Sequence, residues 1–338
     1  MGSIILLIRI WIAANVAIVL ATIRRLLLGP TMSTWSWRTE WAVASARRVI
    51  AVAANHKDDP WINTIGLRFK TPIPASLFGT VRVTPQLLGH NLGDHFERVG
   101  ATHNTATILY FHGGGYTFGN PGTHREHIAR LVARTGTMAT APTYRLAPAH
   151  QYPAAVDDAV DAYRALLTCC AASSEIIVAG DSAGAGLVVA MAHRARAEGL
   201  PMPAGLILFS PYLDLDHGGY TIRTNALTDY LPVREMSVPN DWYAFRSQHR
   251  EPEAAPIYAD LTGFPPMLVF AGGAEMLLAD SLHLAENAQR DGTECELVIE
   301  PEMPHVWPAL APWEPASKRT LAKCATWIAE TIEPSAES

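Results

Sequence analysis

Six short apolar runs limit what this chain can fold into. They are Thr107–Phe111 (TILYF), Met138–Thr143, Glu175–Ala179 (EIIVA), Gly205–Phe209 (GLILF), Met267–Ala271 (MLVFA) and Glu296–Ile299 (ELVI). Several are rich in β-branched or aromatic side chains, which suits strands buried on both faces. Helical stretches lie between them, at Pro153–Leu167, Ala183–Ala197 and Ala279–Arg290. Strand, helix, strand at this spacing implies right-handed crossovers and a mainly parallel sheet covered on both faces, an α/β fold. At 338 residues the chain can bury one large core plus a modest accessory region. The interval Tyr212–Ala255 has no good strand and mixes charged, aromatic and proline residues, which reads as an insertion over the sheet. The expected divisions are an apolar segment and lid helix over 1–65, core over 66–211, a lid insertion over 212–255, and core over 256–338.

Composition excludes two classes of function. Apolar residues at 49% and charged residues at 17% rule out a disordered chain. A net charge of −6 without a basic cluster in the body leaves no footprint for nucleic acid. The four cysteines, Cys169, Cys170, Cys295 and Cys324, match no zinc spacing and read as free thiols of a reducing compartment.

The N-terminus stands apart. Ile4 to Ile23 is apolar except for Arg9 and Asn15, and Arg24 and Arg25 follow. About 20 apolar residues span a bilayer, so an anchor that spans or lies on a membrane through Ile4 to Leu28 is one reading. An amphipathic cap helix is another. A cleaved signal peptide fits less well, because no cationic segment precedes the apolar run. If the segment spans, the arginines after it hold the body in the cytoplasm, which is the expected location; a start at Met32 would remove the segment. Trp35–Ala54 then reads as a helix with a tryptophan packing face. Trp35, Trp37, Trp41, Trp61 and Trp242 together suggest an apolar pocket.

The chemistry is carried by small motifs. Gly180-Asp181-Ser182-Ala183-Gly184 follows a strand and opens a helix. A serine on such a sharp turn is exposed for attack, with the Ala183 N–H aimed at the reaction centre. His112-Gly113-Gly114-Gly115-Tyr116 follows the strand ending at Phe111. Its glycines let backbone N–H groups meet a developing oxyanion, and its histidine reads as a residue that pins the loop. A hydroxyl nucleophile needs a base and an orienting carboxylate, in the chain order serine, acid, histidine. Of thirteen histidines, His305 lies in the loop after the last run, whereas His283 reads as a surface residue. Glu275, in the turn after MLVFA, is favoured as the acid over Asp280, which enters the helix; a surface carboxylate is expected of whichever is not used. Arg145 with Asp157 and Asp158 is expected to form a buried ion pair bracing the loops. His124 and His127 have helical spacing without a third ligand, so no metal is expected.

Together HGGGY, YRLAP, YPAAVDD, GDSAG and SPYLDL resemble, in order, the hormone-sensitive-lipase-like family of α/β-hydrolase carboxylesterases, from about Thr107 to the C-terminal helix. The resemblance implies an eight-stranded, mostly parallel sheet, a lid from the N-terminal residues and the Tyr212–Ala255 insertion, and no cofactor. It assigns Ser182 as nucleophile, His305 as base, and Gly114, Gly115 and Ala183 as the oxyanion hole with Gly113 adjoining. Two positions depart from the family: Glu275-Met276-Leu277 stands where aspartate, proline and leucine are usual, and Ala185 replaces a glycine. The expected partner is a small hydrophobic ester with a short acyl group and an apolar alcohol part, such as a steryl acetate, or a lactone; a lipid-metabolic role follows. Alternatives are an amide deacetylase with the same triad and an inactive ligand receptor on the same fold. The oligomeric state has no signature in the sequence.

Overall fold

The computed structural model describes residues 2–55, 70–100, 106–169, 172–232 and 237–332. Eight strands form one sheet: β1 (Val81–Leu88), β2 (Asn91–Arg98), β3 (Thr107–Phe111), β4 (Met138–Pro142), β5 (Ile176–Asp181), β6 (Gly205–Phe209), β7 (Met267–Gly272) and β8 (Cys295–Glu300). Their spatial order is β1-β2-β4-β3-β5-β6-β7-β8. The pairs β1/β2 and β2/β4 are antiparallel and the rest parallel. All six runs singled out in the sequence are strands. The β1–β2 hairpin was not located individually, because its half-exposed, mixed sequence lacks a clean period-two pattern.

Side chains of the buried strands alternate between two cores, as a period of two requires. Leu109, Phe111, Val178, Leu206, Leu208 and Val269 face one side. That side is covered by α4 (Ala154–Cys169), α5 (Ala183–Ala197) and α7 (Leu278–Asp291). Ile108, Tyr110, Ile177, Ile207, Phe209, Leu268 and Phe270 face the other. There α3 (Arg125–Thr135) and α8 (Pro315–Ile332) pack. Between β6 and β7 the described residues hold only single turns and one short helix, α6 (Ser237–Tyr243).

At the N-terminus α1 (Gly2–Leu28) runs antiparallel to α2 (Trp37–Asn55). Arg25 pairs with Glu40 at 2.7 Å, Trp41 Nε1 donates to Thr22 at 3.0 Å, and Ser45 reaches the Ala14 carbonyl. Within α1, Leu6–Leu28 is long and apolar enough to cross a membrane. Its outer face is open, with Trp11 67% and Leu27 76% exposed. The region before Arg24 thus lies along α2 in this conformation. Trp37 and Trp41 contact each other and α1, Arg25 lying over the Trp37 ring. Trp35 is buried in the core beneath the His305 loop. These three indoles form the packing face expected of them; Trp61 falls outside the described residues.

Cys324 is buried and Cys295 half-buried, both as free thiols. Cys169 is the last residue of α4, and Cys170 lies outside the described residues.

Candidate active site

The sequence-predicted residues gather at the carboxyl ends of the parallel strands, where α/β sheets bind ligands. Ser182 follows β5, the glycine loop follows β3, Glu275 follows β7 and His305 follows β8. Four non-glycine residues with positive φ lie in these loops, Tyr116, Ser182, Glu302 and Val306, and a fifth, Ser210, follows β6. Such conformations cost free energy and persist only where surrounding contacts over-determine them.

Ser182 sits at φ 53°, ψ −122°, immediately before α5. Its N–H donates to the Phe209 carbonyl at 2.9 Å, and its carbonyl accepts from Gly186 and Tyr212. The turn is strapped to β6 on one side and to the helix on the other. Only glycine fits at 184, where a Cβ would collide with the Phe111 and His112 carbonyls. Ala185, at the position where the family carries glycine, is fully buried in the core.

Asp181, which the sequence reading passed over, anchors the glycine loop. Its Oδ1 accepts from Tyr110 at 2.7 Å and from the Gly113 N–H at 3.1 Å; Oδ2 meets His124 Nε2 at 3.1 Å. Burial opposes its charge, but His124, His127 and the Tyr110 hydroxyl outweigh burial and hold its carboxyl below the usual carboxylate range. Burial would lower His124, and the Asp181 carboxylate raises it instead. The N–H of Gly113 is therefore committed to Asp181, which removes Gly113 from the group of expected oxyanion donors. Gly114 has φ 126°, and a Cβ there would run into the Phe118 carbonyl.

The two other histidines near the loop are neutral. His112 Nδ1 lies 2.8 Å from the Gly113 carbonyl and stacks on Tyr144. Burial and the neighbouring His124 bring it down to about 3. His127 is edge-on to Tyr110 and Phe209, and burial brings it down to about 4. Among the described residues no group of three histidine, cysteine or acidic side chains is arranged for a metal.

On the other rim, His305 Nδ1 lies 3.4 Å from Glu275 Oε2, with both side chains essentially inaccessible. The two atoms face each other at ion-pair distance without completing a hydrogen bond in this conformation, as is common before substrate tightens a site. Burial would lower the His305 imidazole; Glu275, with Asp229 and Asp181, raises it above its ordinary value. Burial pushes Glu275 up, and His305 and Ser210 pull it back. Asp280 is separated from this pair. It lies in α7 and accepts from the backbone N–H groups of Leu213 at 2.8 Å and Asp214 at 3.1 Å. It is 3% exposed rather than on the surface, and burial pushes it up to about 7.

A third carboxylate stands beside Glu275 and His305. Asp229, fully buried, accepts from the His305 N–H at 3.1 Å and the Met276 N–H at 2.7 Å. Nothing in the sequence flagged it, since it lies in a stretch with no motif. The bracing ion pair is also different from expectation. Arg145 pairs with Asp158 at 2.8 Å and with Asp157 at 4.0 Å but is 46% exposed rather than buried, and Asp157 also pairs with Arg194 on α5. The YRLAP loop bends back to α4 at a half-exposed rim, where a guanidinium keeps its hydration.

The family model described as α/β hydrolase fold matches residues 108–309. An acetyl-hydrolase of Streptomyces hygroscopicus is 38% identical over 225 residues, covering 65% of this chain and 74% of that protein. An esterase of Acinetobacter venetianus is 34% identical over 248 residues, covering 73% and 81%. The crystal structure of an esterase from the bacterial hormone-sensitive lipase family superposes with a TM-score of 0.77 at 29% identity, covering 88% of this chain and 99% of that one.

Proposed function

The chain belongs to the α/β-hydrolase family, in its hormone-sensitive-lipase-like branch of esterases, and on that premise we propose that it cleaves short-acyl esters through Ser182, His305 and Glu275. The observation that carries the triad is the pairing of His305 Nδ1 with Glu275 Oε2 at 3.4 Å. It leaves the other ring nitrogen, Nε2, for the serine.

In this mechanism His305 takes the Ser182 proton as Oγ attacks the ester carbonyl. The oxyanion meets the N–H groups of Gly114, Gly115 and Ala183. Ala183 is the first residue of α5, so its N–H has no partner within the helix and the helix dipole favours negative charge there. Collapse of the intermediate releases the alcohol, protonated by His305, and leaves an acyl-Ser182. Water deprotonated by His305 then attacks the acyl carbon and frees the acid. Glu275 stays ionised and fixes the imidazole tautomer throughout. Losing one oxyanion donor costs about 3 kcal/mol of transition-state stabilisation.

A short acyl group with an apolar alcohol part, as in a steryl acetate or a lactone, is the substrate class we favour. The likeness to an acetyl-hydrolase supports the acetyl side. We assign the roof of the site to the described parts of the N-terminal region (2–55) and of the insertion (212–232 and 237–255), and lipid contact to the open face of α1, in keeping with a role in lipid metabolism at a cytoplasmic membrane surface.

Hydrolysis of nitrophenyl esters from acetate to palmitate, by wild type and Ser182→Ala in parallel, tests the reading. Activity confined to the short acyl chains and lost in the variant is expected. Activity that survives in Ser182→Ala overturns the nucleophile, and a maximum at palmitate overturns the acyl preference. For α1, the full chain should float with phosphatidylglycerol-containing vesicles and a variant lacking residues 2–28 should not. Equal flotation of both rejects lipid contact.

A further inference from the structure

The stretch between β6 and α6 is more than a cover for the site. Four of its side chains grip the acid turn. Thr221 Oγ1 donates to the Met276 carbonyl at 2.7 Å and accepts from the Ala279 N–H at 3.0 Å. Asn225 Nδ2 donates to the Glu275 carbonyl at 2.9 Å, and Thr228 Oγ1 to the Ala274 carbonyl at 2.9 Å. The fourth, Asp229, differs from the others. Its Oδ2 accepts from the Met276 N–H and its Oδ1 from the His305 N–H, so one carboxylate bridges the turn holding the acid and the loop holding the base. Oδ1 also takes the Tyr230 N–H at 2.7 Å, and Arg47 of α2 donates to the Asp229 main-chain carbonyl.

We propose that Asp229 is a positioning residue of the ester-cleaving reaction, setting the separation of Glu275 and His305 and contributing a second negative charge behind the imidazole. The case is geometric. The next residue after the acid, Met276, and the base itself donate to opposite oxygens of one rigid, fully buried group. Burial pushes the Asp229 carboxyl above the usual carboxylate range, and His305 together with the N–H groups of Met276, His305 and Tyr230 works against that shift only while both loops are in place. Imidazolium formation in the transition state then finds two carboxylates within its field in place of one, and preorganised charge of this kind lowers the barrier. Glu275, Asp181, Arg47 and Tyr230 are the other titratable groups that act on Asp229 or His305.

The inference rests on the assignment of Glu275 and His305, and the experiment separates the two. Asp229→Asn, Asp229→Glu, Thr221→Val and Glu275→Gln are compared by kcat, KM, the pH profile of kcat/KM and thermal midpoint on nitrophenyl acetate. Asp229→Asn sets an amide N–H₂ against a backbone donor and removes the charge. We expect kcat about 10- to 100-fold lower, as for a small misplacement of reacting groups, with KM little changed. His305 loses an attractive charge, so its pKa falls and the acid limb moves to lower pH. The glutamate variant keeps the charge and brings the acid limb back towards wild type. Thr221→Val loosens the same turn without touching charge, so its midpoint falls while the acid limb stays.

A folded Asp229→Asn with wild-type kcat and acid limb overturns the proposal. So does a kcat loss with an unmoved limb that merely parallels Thr221→Val. If Asp229→Asn does not fold, Arg47→Met decides: freeing the Asp229 carbonyl should lower kcat several-fold at unchanged KM, and an unchanged kcat rejects the role. Full activity in Glu275→Gln would overturn the triad itself, whatever Asp229 does.

Discussion

The nucleophile side of the site and its acid–base side are built by different means. Ser182 and the glycine loop end two adjacent, paired strands, β5 and β3, and are held by each other and by β6: Asp181 grips Gly113 and Tyr110, and Ser182 is tied to Phe209 and Tyr212. Glu275 and His305 are held from far along the chain. Thr221, Asn225, Thr228 and Asp229 clamp the acid turn. The His305 loop is held in addition by the segment before α2, where Ser33 and Thr34 donate to the Glu302 carboxylate and Trp35 Nε1 to the Glu302 carbonyl. A side built on the ends of paired neighbouring strands is set by sheet register, which tolerates little. A side made of remote hydrogen bonds depends on the docking of whole segments, and its weakening should be graded.

Several experiments would break or sharpen that contrast. The largest effect is expected at the nucleophile, where Ser182→Ala should cost roughly 10⁴-fold or more in kcat, read on nitrophenyl acetate. On the other side, Glu275→Gln should cost about 10³- to 10⁴-fold through the wrong imidazole tautomer. Asp280→Asn should leave kcat near wild type, and equal losses in the two variants would return the acid to uncertainty between them.

Asp280 offers a second readout. Its folded-state pKa is raised to about 7 by burial, so its contribution to stability is full below the unfolded value and is lost as pH rises through 7. The thermal midpoint of Asp280→Asn relative to wild type should therefore climb between pH 5 and pH 8; a flat difference would contradict the raised pKa.

Next in size is Gly114→Ala, which combines a positive φ with a collision at the Phe118 carbonyl. We expect about 10²- to 10³-fold lower kcat from displaced oxyanion donors. Glu302→Ala should be the mildest. Releasing the Ser33, Thr34 contacts lowers the thermal midpoint and trims kcat several-fold, while KM holds. A loss as large as that of Gly114→Ala would show that the two sides are equally intolerant.

The difference between the sides also governs what could be read in advance. Ser182, the glycine loop and His305 were legible because each sits where a strand pattern ends and a small-residue or loop signature begins. The proposed acid, Glu275, could be placed in the turn after β7 even though the usual aspartate is absent. Asp229 and Glu302 were not, because an acidic residue in an irregular stretch has no period or spacing to mark it; the partners of Asp229 are backbone N–H groups that carry no residue identity, and those of Glu302 are Ser33 and Thr34, far off in the chain. The tryptophans were legible as packing residues but not in what they pack against. Their bulk predicts burial, but Trp37 and Trp41 meet α1 and Trp35 meets the Glu302 carbonyl, so the burial is against helices and a loop rather than around a ligand.

The sequence by itself determined the parallel sheet, through buried runs of period-two strands separated by helices, and the residue types gathered at its carboxyl edge. Local sterics and hydrophobic periodicity act over a few residues, so a linear string records them. Only the tertiary structure decided that Gly113 serves Asp181, that Asp280 caps the Leu213–Asp214 backbone, and that Asp229 joins the acid turn to the histidine loop. Those outcomes depend on which buried N–H groups are left without a partner once the segments have packed, and that is settled by three-dimensional proximity alone.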